Sequence, residues 1–118
     1  MGDEQDFIPT YAEFLKTIGE ENRLKILFTL SEGAKSVSEI IKTTELSQPL
    51  VSFHLKTLRK RGLVESERRK TFVYYNLRDK DLVEELAELS KHLEYYQAEK
   101  ADFEFQWPPW KNCKFFRG

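Results

Sequence analysis

The chain is poor in the residues that carry catalysis. It has two histidines, one cysteine and five glycines. No glycine-rich phosphate loop and no nucleophile paired with a base can be found, so an enzyme is not expected. A single cysteine, Cys113, excludes an intrachain disulfide. No run of 18 apolar residues exists, so no membrane span is expected. The first residues, MGDEQDFIPT, are acidic and have no apolar centre, which does not fit a secretory signal. A cytoplasmic protein is the simplest expectation.

What the chain does have is concentrated in Ser47 to Gly62, SQPLVSFHLKTLRKRG. Ser47 is suited to cap a helix start, and Pro49 is tolerated in a first turn. Val51, Leu55 and Leu58 then recur at i, i+4 and i+7 and make one apolar stripe. Gly62 accepts the left-handed dihedrals of a helix end. The other faces carry Gln48, Ser52, His54, Lys56, Thr57, Arg59, Lys60 and Arg61. A helix polar at its start and cationic at its end suits base edges at one end and phosphates at the other. It is also the pattern of an ordinary amphipathic helix, and its neighbours decide between the two.

Net charge is −1, which looks unfavourable for a nucleic-acid partner. The distribution matters more. From Ser47 to Arg78 eight basic residues stand against two acidic ones, a local +6, while the rest of the chain carries −7. A basic segment in an acidic body is an electrostatic footprint that the total conceals.

Around that segment the chain predicts a single domain over residues 9–101, with residues 1–8 disordered. Tyr11, Phe14, Leu15 and Ile18 predict a first helix closed by Gly19. A second runs from about Glu20 to Ser31. Ser36, with Glu39 three residues on, predicts a capping box for a short third helix, SVSEIIKTT. A turn of about three residues, Thr44-Glu45-Leu46, joins it to the basic helix, which makes a helix-turn-helix. Residues 63–67 and 71–77 predict two strands, with Arg68, Arg69 and Lys70 at the tip of their hairpin. Three adjacent cations repel one another, so their natural use is a phosphate or minor-groove contact. The fold class is therefore mainly α with a small β-hairpin.

Asp79 to about Ala101 predicts a long last helix. Leu82, Leu86, Leu89, Leu93 and Tyr96 alternate steps of four and three, a seam with coiled-coil spacing. Since four helices already supply a core, the seam is expected to meet a second subunit, joined there by Tyr11 and Phe14. Packing within one subunit is the competing reading. Residues 102–118 hold six aromatics around Pro108-Pro109 and are expected to fold back on the body or the dimer partner.

The run ENRLKILFTLSEG, then SQPLVSFHLKTLRKRGLVESERRKTFVYYNL, then a long helix resembles the ArsR/SmtB family of winged-helix repressors, over about residues 10–100. That resemblance implies five helices and a two-stranded wing. It also implies a homodimer that sets two recognition helices in successive major grooves of an inverted repeat. By the family pattern Ser47, Gln48 and Ser52 approach bases and phosphates, and Arg68, Arg69 and Lys70 form the wing. Gln can pair bidentately with adenine. His54 is either a reader or a packed, hydrogen-bonded histidine.

Many members of the family sense metals, and here the sequence departs. Ser36 and Ser38 stand at positions where one family site has cysteines, and serine is a poor ligand for soft metals. The second family site would fall on Asp79, Asp81, His92 and Tyr95; Asp79, Asp81 and His92 are weak candidates, and no metal cofactor is expected. Cys113, flanked by Lys111 and Lys114, is a candidate redox thiol. The expected partners are double-stranded DNA, a second copy of the chain and an effector the sequence does not identify. The alternative function is a winged-helix protein-interaction module without DNA binding.

Overall fold

The computed structural model describes residues 4–96. The expectations for residues 97–118, including Cys113, the aromatic tail and the end of the last helix, lie outside the described residues. The order of elements is α1 (Glu4–Ile18), α2 (Glu21–Leu30), β1 (Lys35–Ser36), α3 (Val37–Thr44), α4 (Gln48–Lys60), β2 (Val64–Arg69), β3 (Phe72–Leu77) and α5 (Asp81–Leu89), followed by a 3-10 segment, Ser90–Glu94.

The core lies where α2, α3 and α4 meet the base of the hairpin. Ile26, Leu27, Ile40, Val51, Leu55, Leu58 and Val64 are all at most 1% exposed. Leu24, Phe28, Val37, Ile41, Leu46 and Leu63 close its edges. Among the described residues, no fully buried side-chain nitrogen or oxygen lacks a hydrogen-bond partner. No helix among them is long and apolar enough to cross a membrane.

The local signals in α3 and α4 act as chemistry requires. Ser36 Oγ accepts from Glu39 N–H, and the Glu39 carboxylate accepts from Ser36 N–H, which is the expected capping box. The turn between the two helices has no glycine. Glu45 takes the left-handed conformation instead, at φ 63°. Thr44 supports it from inside: its hydroxyl donates to Ile40 O at 2.8 Å and accepts from Leu46 N–H at 3.3 Å. The turn's polar groups are thus satisfied by a buried threonine where glycine would have relieved the backbone.

The structure departs from the sequence reading at four places. Helix α1 starts at Glu4, inside the stretch expected to be disordered, and carries Pro9 within it. An aromatic ladder supports that extension. Phe7 stacks on Tyr11 at 5.4 Å and Tyr11 on Phe14 at 5.9 Å, spacings of four and three residues that place them on one helix face.

Strand β1 was not expected. Two residues carry no periodicity, yet they pair antiparallel with Tyr74 and Tyr75 and make the sheet three-stranded, in the order β1-β3-β2.

The wing is longer than expected. Arg68 and Arg69 are strand residues, paired with Val73 and Phe72, so only Lys70 and Thr71 form the tip. Lys70 takes the left-handed conformation there, at φ 57°. The strand extends because Arg69 lies over the Tyr74 ring at 4.9 Å and pairs with Glu67 at 3.2 Å.

Finally, the last helix is regular only to Leu89. The Ser90 hydroxyl donates to Ala87 O at 2.5 Å, competing for a backbone acceptor just where the helix tightens into a 3-10 turn. The seam divides accordingly. Leu82 and Leu86 pack against the chain's own core beside buried Val83 and Ala87, whereas Leu89 and Tyr96 are more than half exposed.

Candidate nucleic-acid interface

Helix α4 turns one stripe inward and leaves the rest to solvent. Val51, His54, Leu55 and Leu58 are buried. At about 100° per residue, Pro49, Phe53, Lys56 and Lys60 fall on the far side; all four are exposed. Gln48, Ser52 and Arg59 lie exposed on one flank. Ser47 is the N-cap; its Oγ accepts from Leu50 N–H at 3.3 Å, and the residue stays exposed. The helix N-terminus carries the positive end of the peptide dipoles, so both ends of this surface favour an anion.

Ion pairing sorts the cations of the basic segment. Arg61 pairs with Glu13 at 2.7 Å, Arg69 with Glu67, and Arg78 with Glu65 at 3.5 Å. Lys56, Arg59, Lys60, Arg68 and Lys70 are exposed and meet no carboxylate of any described residue within 4.0 Å. They lie on α4 and on the outer end of the wing. No described residue of the chain neutralises their charge.

His54 is the exception among the residues proposed to face DNA. It is only 5% exposed and belongs to the core side of α4. Arg23 Nη1 lies 3.4 Å from His54 Nδ1. A guanidinium only donates, so Nδ1 accepts and the ring proton sits on Nε2. That nitrogen faces Glu20 Oε1 at 3.8 Å. Arg23 Nε in turn donates to Thr17 O at 2.6 Å, and Glu20 caps α2 by accepting from Arg23 N–H at 2.9 Å. His54 thus braces α4 against the α1–α2 junction. Its position between Val51 and Leu58 could have signalled this, since i+3 from one and i−4 from the other is the buried stripe.

The sequence reading missed Phe53. It is 59% exposed on the outward face of α4, with its ring edge-on to His54 at 5.1 Å. An exposed aromatic has no periodic signature, so only the burial of its neighbours reveals its place.

The weak metal candidates do not gather. Among the described residues no three of His, Cys, Asp and Glu are placed to hold an ion. Asp79 Oδ1 instead accepts from Asp81 N–H at 2.9 Å at the start of α5, and His92 is exposed in the 3-10 segment. A groove of about 130 Å³ lies between α1 and the α4–β2 corner, lined by Thr10, Glu13, Phe14, Thr17, Arg61 and Leu63. Ligand pockets for drug-sized molecules are usually two or more times larger.

The comparisons with known proteins agree with this geometry. The model of the bacterial regulatory protein, arsR family, matches residues 20–66, which is α2 through the start of the wing. An uncharacterized HTH-type transcriptional regulator of Methanocaldococcus jannaschii is 37% identical over 83 residues, 70% of this chain and 92% of that one. The crystal structure of the transcriptional repressor BigR from Xylella fastidiosa superposes with a TM-score of 0.67 at 31% identity, over 80% of this chain and 95% of that one. The homodimeric winged helix-turn-helix DNA-binding domain of a Mycobacterium bovis regulator superposes with a TM-score of 0.63 at 28% identity, over 85% and 97%. The capped helix-turn-helix, the wing and these matches together show that the chain belongs to the arsR family of DNA-binding transcriptional regulators.

Proposed function

We propose that the protein is a sequence-specific repressor that grips an inverted-repeat operator as a homodimer. One observation carries this reading. Of the cations in the basic segment, those without a carboxylate partner among the described residues are the ones on α4 and at the wing end. Ser47, Gln48 and Ser52 would meet bases and phosphates at the helix start; Lys56, Arg59, Lys60, Arg68, Arg69 and Lys70 would bind backbone. Two chains double these contacts, and each neutralised phosphate releases counterions.

Dimerisation is supported by apolar surface that the described residues do not cover. Phe7, Ile8, Tyr11 and Leu15 on α1 are 41–65% exposed, and Leu89, Leu93, Tyr95 and Tyr96 at the other end of the described chain are 38–74% exposed. Of the expected interface residues, Tyr11, Leu89, Leu93 and Tyr96 stay available, while Phe14, Leu82 and Leu86 also serve the chain's own core. No metal cofactor is part of this reading.

The test is a salt titration on a duplex selected from a random library. Log affinity should fall steeply with log salt, and Arg68→Ala should flatten the slope by about 2 per dimer, one phosphate for each wing. Gln48→Ala should change the selected sequence and leave that slope alone. Unchanged affinity and slope in both variants would sink the assignment. A protein-interaction module would also pass through a heparin column at low salt, where this protein should be retained.

A further inference from the structure

Exposed apolar residues run along α4 beside its cations. Leu50, Phe53 and Thr57 stand at i, i+3 and i+7; Leu50 is 40% exposed and Phe53 59% exposed. A single exposed Phe on a protein surface needs no explanation. This one is different in its surroundings. Ser52 and Lys56 lie beside it and Lys60 lies two turns on, all exposed. The basic residues among them have no carboxylate partner among the described residues.

Cations that bind the backbone at one side and Ser52 at the other would set a ring on the same exposed surface of α4 against the groove between them. Resting on the proposed operator binding, we propose that Phe53 is a specificity residue that recognises thymine through its C5-methyl group in the major groove. The major groove presents that methyl as its one apolar feature, and a phenyl ring is among the side chains that contact it. Hydrogen-bonding residues cannot report it.

The ring is also held in place before DNA arrives. Its edge contact with His54, at 5.1 Å and 72° between planes, leans on a side chain that is itself buried against Arg23 and Glu20. An ordered ring loses less conformational freedom on binding than a free one. Leu50, one turn nearer the helix start, extends the apolar contact along the groove.

The experiment replaces thymine by deoxyuridine, which removes the methyl group and leaves the hydrogen-bonding edge intact. Operator duplexes selected with the full-length protein carry this change one symmetric pair of positions at a time. At one pair, wild type should lose about fourfold in affinity per half-site, about fifteenfold for the palindrome, the value of one buried methyl group. Phe53→Ala should bind thymine and deoxyuridine operators equally, with the wild-type salt slope and thermal midpoint. Phe53→Leu, which keeps apolar surface, should recover part of the discrimination. The proposal is overturned if no position discriminates, if the selected half-sites lack thymine, or if Phe53→Ala still discriminates as wild type does. Absence of any saltable duplex binding by wild type would instead overturn the operator reading beneath it.

Discussion

Two parts of this chain treat their apolar residues in opposite ways. The α2–α3–α4 unit with the wing base seals Ile26, Leu27, Ile40, Val51, Leu55 and Leu58 to 1% exposure or less. The outer elements, α1 and the α5 end, leave Phe7, Tyr11, Leu89, Tyr95 and Tyr96 46–74% exposed. Both regions have amphipathic periodicity, so periodicity alone does not separate them. The difference is that the first unit closes on itself, whereas the second presents an apolar surface that a further layer must cover. Stability of the fold should depend on the first and association on the second.

The sharpest way to break this comparison is Leu55→Ala against Leu89→Ala. Leu55 is 1% exposed and its truncation should cost about 3 kcal/mol in urea unfolding. Leu89 is 57% exposed, and its truncation should change unfolding of the monomer by less than about 0.5 kcal/mol. Equal costs would mean that the two regions do not differ.

His54→Ala comes next, at about 2 kcal/mol in the same urea titration, because Arg23 Nη1 loses an acceptor inside a part-buried network. A loss near zero would show that the brace between α4 and the α1–α2 junction is slack. Leu93→Ala should weaken the dimer about tenfold by sedimentation equilibrium while leaving the urea midpoint of the dissociated monomer, read at concentrations below the dimer Kd, almost unchanged. A dimer as tight as wild type would put the contact elsewhere.

The smallest effect is expected of Arg61→Ala. Its bond to Glu13 is short, 2.7 Å, but both side chains are more than half exposed, so the pair contributes only about 0.5 kcal/mol. Operator affinity should hold within about twofold, whereas Lys60→Ala, one residue away and without a carboxylate partner among the described residues, should lose about tenfold in the dimer. Equal losses for the two variants in a fluorescence-anisotropy titration would show that ion pairing does not sort these cations.

Much of the architecture was legible because it is local. Ser36 with Glu39, Ser47 with Pro49, and the stripe Val51, Leu55, Leu58 each declare a helix boundary or a buried face within a few residues. The same is true of the hairpin, whose strands are rich in β-branched and aromatic residues. The errors have two sources, a local contact left unread and a distant partner that no local signal announces. Helix α1 runs back through Pro9 along the Phe7–Tyr11–Phe14 ladder. Strand β1 exists only because Tyr74 and Tyr75 are there to pair with it.

The candidate surface shows the same division. Composition and spacing alone determined that positive charge gathers between Ser47 and Arg78, and that one helix there carries the apolar stripe Val51, Leu55 and Leu58. They did not determine which cations remain available, since Arg61 is held by Glu13, 48 residues away, and Arg78 by Glu65 across the hairpin. Nor did they place His54 inside and Phe53 outside. The stripe Val51, Leu55 and Leu58 points to the buried side, but a histidine stays there only where its ring nitrogens find partners, and only the folded chain brings Arg23 and Glu20 to them.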